Sequence, residues 1–195
     1  FAAFLGASGG TARPWVYLHD GSGRFSLDFP RFPRAPAART SVVVVDADQD
    51  GDLDVVFGGV TAFLLVGTVE LWLNDGTGFF TEVTSTHIPP GTDCESNVAA
   101  GDIDGDGFPE LVIGSGNTGL TSKRILWNDG TGRFTVQILP PNNSAYYCYL
   151  RDVDLDGDLD ILFKGGQSML FMNEPMGLRQ VLVQNPVPAT AYYPA

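Results

Sequence analysis

Three nine-residue stretches of this chain carry carboxylates at alternating positions. They are Asp46-Ala-Asp48-Gln-Asp50-Gly51-Asp52-Leu-Asp54, Asp102-Ile-Asp104-Gly-Asp106-Gly107-Phe108-Pro-Glu110 and Asp152-Val-Asp154-Leu-Asp156-Gly157-Asp158-Leu-Asp160. In each, acids stand at positions 1, 3, 5 and 9, with glycine at position 6. Oxygen donors at alternating positions, closed by a sharp glycine turn, suit a hard cation such as calcium, which takes about six to eight oxygens at roughly 2.3–2.6 Å. Glycine permits the positive φ that such a curl needs. Position 7 then offers a backbone carbonyl, from Asp52, Phe108 and Asp158. An EF-hand would finish its shell with Glu at position 12. Here that position holds Phe57, Ile113 and Phe163, so the acid at position 9 must take the role: Asp54, Glu110 and Asp160. Magnesium fits less well, because it uses few protein carboxylates and keeps its waters. The loops hold 14 of the 23 acids in the chain. Carboxylates packed so closely repel one another unless a cation sits among them. About three calcium ions are expected, one per loop.

The segments around the loops must hold them. Asp54-Val-Val-Phe-Gly, Glu110-Leu-Val-Ile-Gly and Asp160-Ile-Leu-Phe-Lys-Gly read as short β-branched strands, so each loop joins strand to strand. A second phrase also repeats: Leu18-His19-Asp20-Gly21-Ser22-Gly23-Arg24-Phe25, Leu73-Asn74-Asp75-Gly76-Thr77-Gly78-Phe79-Phe80 and Trp127-Asn128-Asp129-Gly130-Thr131-Gly132-Arg133-Phe134. Asp-Gly-x-Gly between apolar stretches is a hairpin signal. A degenerate fourth copy is Met172-Asn173-Glu174-Pro175-Met176-Gly177. The strands entering these turns, such as Leu71-Trp72-Leu73 and Ile125-Leu126-Trp127, are apolar on both faces and should be buried on both. Trp72 and Trp127 therefore read as packing residues rather than ligand platforms. Successive loops start 56 and 50 residues apart. A period near that length, with four short strands per unit, indicates an all-β fold of β-propeller blades. A solenoid, the alternative, would have a shorter and more uniform repeat.

These loops, the Phe57-Gly58-Gly59 after the first and the Asn-Asp-Gly-x-Gly-x-Phe turns resemble FG-GAP or VCBS-type repeats, the calcium-bearing blades of integrin alpha-subunit propellers and many surface proteins. The resemblance covers nearly the whole chain. It implies a ring of about seven four-stranded blades, with calcium in the loop between the first two strands of a blade. It also implies ligation by the loop positions named above. Loop two departs slightly, with Pro109 before Glu110. On this reading residues 1–195 form one propeller segment: a partial blade at 1–40, then blades with the calcium loops at 41–96, 97–146 and 147–195. Phe1-Ala-Ala-Phe4-Leu-Gly6 aligns with the strand after a calcium loop, and Ala189 to Ala195 resembles Asn143 to Tyr149, which leads into loop three. The expectation is about three and a half blades, with the remaining blades supplied by the parent chain or by another chain.

Hydrophobic content of 44% fits a protein with a core. The net charge of −12 argues against a nucleic-acid partner, which needs a basic footprint. No stretch approaches the roughly 20 apolar residues that span a membrane. Cys94 and Cys148 precede successive loops, and the sequence leaves open whether they form a disulfide or remain buried thiols. Asn142-Asn-Ser144 is a candidate glycosylation site, and Pro30 to Pro36 reads as an exposed connection between blades. His19 occupies the turn position of Asn74 and Asn128, and His87 falls in a loop before Pro89-Pro90. No nucleophile elbow, histidine pair or phosphate loop is present, and the carboxylates are committed to metal. The expected function is therefore non-catalytic. It is a calcium-stabilised extracellular module, secreted or on the cell surface, that serves binding, adhesion or assembly toward a protein or glycan. The alternative is the propeller part of a secreted carbohydrate-active enzyme or a lectin. Basic candidates for such a cleft are Lys123, Arg124 and Arg151, which solvated or rim positions explain equally well.

Overall fold

The structure, a computed structural model, describes residues 16–19, 21–28, 31–32, 41–59, 67, 69–92, 94, 97–114, 123–140, 145–165 and 168–182. The sequon at Asn142 and the phrases at 1–6 and 189–195 lie outside them. Among the described residues a two-stranded ribbon comes first, from β1 (Val16–His19) and β2 (Phe25–Asp28). Three four-stranded antiparallel sheets follow, each paired in sequence order. The first holds β3 (Ser41–Val45), β4 (Asp54–Gly58), β5 (Glu70–Asn74) and β6 (Phe80–Glu82). The second holds β7 (Val98–Gly101), β8 (Glu110–Ile113), β9 (Arg124–Asn128) and β10 (Phe134–Ile138). The third holds β11 (Tyr147–Arg151), β12 (Asp160–Lys164), β13 (Met169–Glu174) and β14 (Gly177–Leu182). The fold is all-β, with sheets of the form that propeller blades take. One turn of helix, α1 (Thr84–His87), lies in the first connection, and His87 ends it rather than sitting in open loop.

The first strands lie side by side, with β7 touching β3 on one flank and β11 on the other. Side chains stitch them together. Ser41 Oγ accepts the Val98 N–H at 3.1 Å. The Asn97 amide pairs with the Cys148 backbone, accepting its N–H at 2.8 Å and donating to its carbonyl at 3.1 Å.

Packing explains why the middle strands are apolar on both faces. Strands alternate sides, so one face of a sheet meets the preceding unit and the other meets the following one. Val56 and Leu71 of the first sheet pack with Leu111, Ile113 and Leu126 of the second. The opposite face of the second sheet, through Val112 and Ile125, packs with Ile161, Phe163 and Phe171 of the third. The other face of the first sheet is covered by Phe32, buried among Val55, Phe57, Trp72 and Phe80. Phe32 stacks on Phe80 at 4.6 Å and meets Trp72 edge-on at 5.1 Å. The Pro/Arg-rich connection is thus not wholly exposed, because its aromatic residue belongs to the core. Trp72 is a packing residue, fully buried. Trp127 is half-buried at the margin of the second core.

Candidate metal centres

Each acidic loop connects the first strand of a sheet to the second, and its position-9 acid is the first residue of that second strand. The registers Val45↔Asp54, Gly101↔Glu110 and Arg151↔Asp160 close the three loops alike. The hydrogen bonds inside them repeat. The glycine N–H at position 6 donates to the position-1 carboxylate at 3.1, 3.0 and 3.1 Å. The position-7 N–H donates to the position-5 carboxylate at 2.9, 2.8 and 3.0 Å. The glycines have φ of 93°, 91° and 102°, as the turn requires.

A second left-handed residue occurs at position 4: Gln49 at φ 62°, Gly105 at 76° and Leu155 at 65°. Only the middle loop places glycine there. Leu155 is 85% exposed, so its side chain contributes little packing. Leu155→Gly should therefore stabilise the protein by about 1 kcal/mol, by removing the strain of an L-residue in that region. Urea unfolding of the variant against the parent, in the absence of calcium, checks this.

The carboxylates converge. One ligand oxygen from each of Asp46, Asp48 and Asp50 lies within 4.8 Å of the others, as do those of Asp102, Asp104 and Glu110, and of Asp152, Asp154 and Asp160. The closest set thus differs between loops. It contains position 5 in loop one and the position-9 acid in loops two and three. Three hard oxygen donors so close fit calcium. Asp46 Oδ1 and Asp48 Oδ1 add to the fit, since both are buried with no hydrogen-bond donor. The Asp46, Asp102 and Asp152 sets would hold the ion, which would supply the countercharge these loops need.

Electrostatics records the strain. Asp48 and Asp104 are raised by partial burial first and then by neighbouring carboxylates, and Asp154 by desolvation and the charges of Asp156 and Asp160. Burial pushes Asp54 up to about 6 and Glu110 up to about 7, against the backbone N–H bonds that favour their charged forms. The calcium-free folded chain therefore holds protons there that the unfolded chain has released, between about pH 4 and pH 7. This contribution to stability is present below the unfolded values and is lost as pH rises through the folded ones. Calcium-free protein should unfold at lower denaturant at pH 8 than at pH 5, and chemical unfolding at the two pH values measures it.

The position-9 acids do more than the sequence suggested. All three are fully buried. Asp54 accepts the Ala47 N–H from its own loop and the Asn74 N–H from the end of β5, each at 2.8 Å. Glu110 accepts Ile103 N–H at 2.8 Å and Asn128 N–H at 3.4 Å. Asp160 accepts Val153 N–H and Asn173 N–H, each at 2.8 Å. Each acid is a knot between its loop and the hairpin of its own sheet. The asparagines were legible only as turn residues. Their signal was the recurrence of Asn before an acid in every later copy of the hairpin phrase.

Other expected site residues fall differently. Lys123 and Arg124 are buried, not solvated rim groups. Lys123 Nζ sits 5.9 Å from the centre of the Phe163 ring, and burial lowers its ammonium to about 8. Arg151 is exposed and donates to the Leu150 carbonyl at 3.0 Å. Cys94 and Cys148 are both buried and stand as thiols in this structure, one of the two alternatives the sequence leaves open. The Cys94 sulfur donates to the Asn97 backbone carbonyl at 3.6 Å, and the Cys148 sulfur to the Val112 carbonyl at 3.1 Å. Burial, and the neighbouring Cys94, push the Cys148 thiol up to about 12. Native Cys148 should thus resist alkylation at pH 8 and react only on unfolding, which peptide mapping after an iodoacetamide pulse would show.

A cleft of about 400 Å³ opens between the second and third sheets, where Trp127, Gln137 and Leu139 face Phe171, Leu178 and Gln180. Gln137 holds the Trp127 indole N–H at 2.8 Å. No helix among the described residues is long and apolar enough to cross a membrane.

No curated protein matches the chain significantly. A family profile described as FG-GAP-like repeat matches residues 3–57 and 62–113, and one described as FG-GAP repeat matches residues 96–136. The first alone covers more than half the chain, and its second copy takes in the second sheet's acidic loop, whose strand-to-strand position and converging carboxylates are those described above. The protein belongs to the FG-GAP-like repeat family.

Proposed function

We propose that this protein is a calcium-stabilised β-propeller module, secreted or on the cell surface, which serves binding, adhesion or assembly and performs no catalysis. The observation that carries the reading is the convergence of three carboxylates in each of three loops, with two buried oxygens in loop one left without a donor. Membership of the repeat family supports the extracellular setting, where calcium near millimolar levels matches modules with affinities of about 0.1–1 mM. The sheets would take their places in a ring of about seven blades. Bound ions would stiffen each blade, and connections on one face would recognise a protein or glycan. Calorimetric titration with calcium tests the metal part. Saturable binding of one ion per loop supports it, and a titration that shows only heats of dilution sinks it.

A specific observation favours a second reading, a lectin or the propeller of a carbohydrate-active protein. The cleft between the second and third sheets combines a half-buried indole with the amides of Gln137 and Gln180. Aromatic faces and planar amides are what sugar rings and hydroxyls require. Titration with neutral monosaccharides, following tryptophan fluorescence in the parent and in Trp127→Phe, decides it. A response lost in the variant supports the reading, and no response in either removes it.

A further inference from the structure

The three acidic loops are connected to each other through one line of hydrogen bonds. Asn173 uses its backbone N–H on Asp160 of loop three and its side-chain amide on the Ile103 carbonyl of loop two. Ile103 in turn gives its N–H to Glu110. Asn128 gives its backbone N–H to Glu110 and its side-chain amide, at 2.8 Å, to the Ala47 carbonyl of loop one. Ala47 gives its N–H to Asp54, which also takes the Asn74 N–H. The line thus runs from Asn173 to Asn74 through all three sheets. We propose that Asn128 and Asn173 are positioning residues that couple neighbouring calcium loops, so that filling one loop raises the affinity of the next. This rests on the calcium reading given above.

The residue at loop position 2 is the point of leverage. Ala47 and Ile103 each sit between the carboxylates of positions 1 and 3, and both peptide groups flanking them are held, one by the acid of their own loop and one by the asparagine of the next sheet. Both are buried, at 0% and 3% exposure. To bring the flanking carboxylates onto an ion, that backbone must be fixed. The asparagine that fixes it is itself anchored on the position-9 acid of the following loop. Ordering one loop therefore lowers the ordering cost of its neighbour, which is positive cooperativity without a change of fold. Loop one has a further link, because exposed Gln49 donates through Nε2 to the Gly107 carbonyl of loop two at 3.1 Å. Position 4 of loop two is Gly105, which has no side chain to repeat that link, so loops one and two should be the more strongly coupled pair.

The test is calcium titration by calorimetry on the whole protein carrying Asp154→Asn, which silences loop three and leaves two sites. Into this background Asp104→Asn is introduced to disable loop two. Coupling predicts that Asp104→Asn both removes one site and weakens the remaining loop-one site about tenfold, in the range seen when outer partners of metal ligands are lost. With Asn128→Ala also present, loop one should already be weak, and Asp104→Asn should weaken it no further. A purely structural asparagine would lower the melting temperature in chelator but leave loop one responding to Asp104→Asn as before. If Asn128→Ala fails to fold, Gln49→Ala, at an exposed link, takes its place and should reduce the effect of Asp104→Asn several-fold. Two ions bound with a loop-one affinity indifferent to Asp104→Asn would overturn the coupling and leave the calcium reading intact. Absence of calcium binding in the unmodified protein would overturn both.

Discussion

Removing calcium should lower the melting temperature of this protein by about 8–16 °C. With free calcium at about ten times a site's dissociation constant, each loop adds about 1.4 kcal/mol to the folded state, so three loops add about 4 kcal/mol. For a chain of this size about 1 kcal/mol corresponds to roughly 2–4 °C. The direction follows from charge. Each loop gathers three carboxylates with oxygens inside 4.8 Å, and desolvation first, then neighbouring acids, already raise Asp48, Asp104 and Asp154 in the absence of metal. Binding the folded state alone is what makes the effect one of stability, since the unfolded loops do not hold three carboxylates together. Differential scanning calorimetry in calcium and in chelator measures it. Equal melting temperatures would mean that the loops hold together without a countercharge.

Substitution of Asp54 should be the most damaging single change in loop one, and it should damage the metal-free protein too. Asp54 is fully buried, and its two oxygens receive the N–H groups of Ala47 and Asn74. Asp54→Ala leaves both donors without an acceptor, at about 1–3 kcal/mol each, for a loss of about 2–6 kcal/mol in chelator. Asp50→Asn should behave in the opposite way. Asp50 is exposed and belongs to the converging set of loop one, and an asparagine there still offers Oδ1 to the Asp52 N–H. That variant should bind one ion fewer, yet unfold in chelator at the same or slightly higher urea, because a charge that raises Asp48 is gone. Paired urea curves, with and without calcium, separate the two roles. Equal losses for both variants in chelator would refute the division between a structural knot and a metal ligand.

This division was only partly visible in the residues. The loops and their flanking strands depend on spacing within nine residues and on local turn chemistry, and such signals survive in a linear reading. The left-handed backbone at position 4 left no such trace in Gln49 and Leu155, because the loop closes around them whatever side chain they carry. Phe32 looked like part of an exposed connection, since nothing in Pro30 to Pro36 says that Trp72 and Phe80 wait opposite. Lys123 and Arg124 could be read as cleft or as solvated rim groups, and their burial was hidden for the same reason. Cys94 and Cys148 were legible as a disulfide or as buried thiols, but their acceptors, the Asn97 and Val112 carbonyls, could not be foreseen from spacing.

What could be read along the chain was therefore the repeat: its period, its strands, its turns and the acids that define each loop, all set by short-range stereochemistry. What required the folded chain was how one repeat acts on the next. The side-chain amides of Asn128 and Asn173 reach carbonyls 81 and 70 residues away, and the core between sheets joins Val56 to Leu111 and Val112 to Ile161. These contacts arise when apolar faces stack and bring distant backbones together, and no local pattern encodes which partner a buried amide will meet.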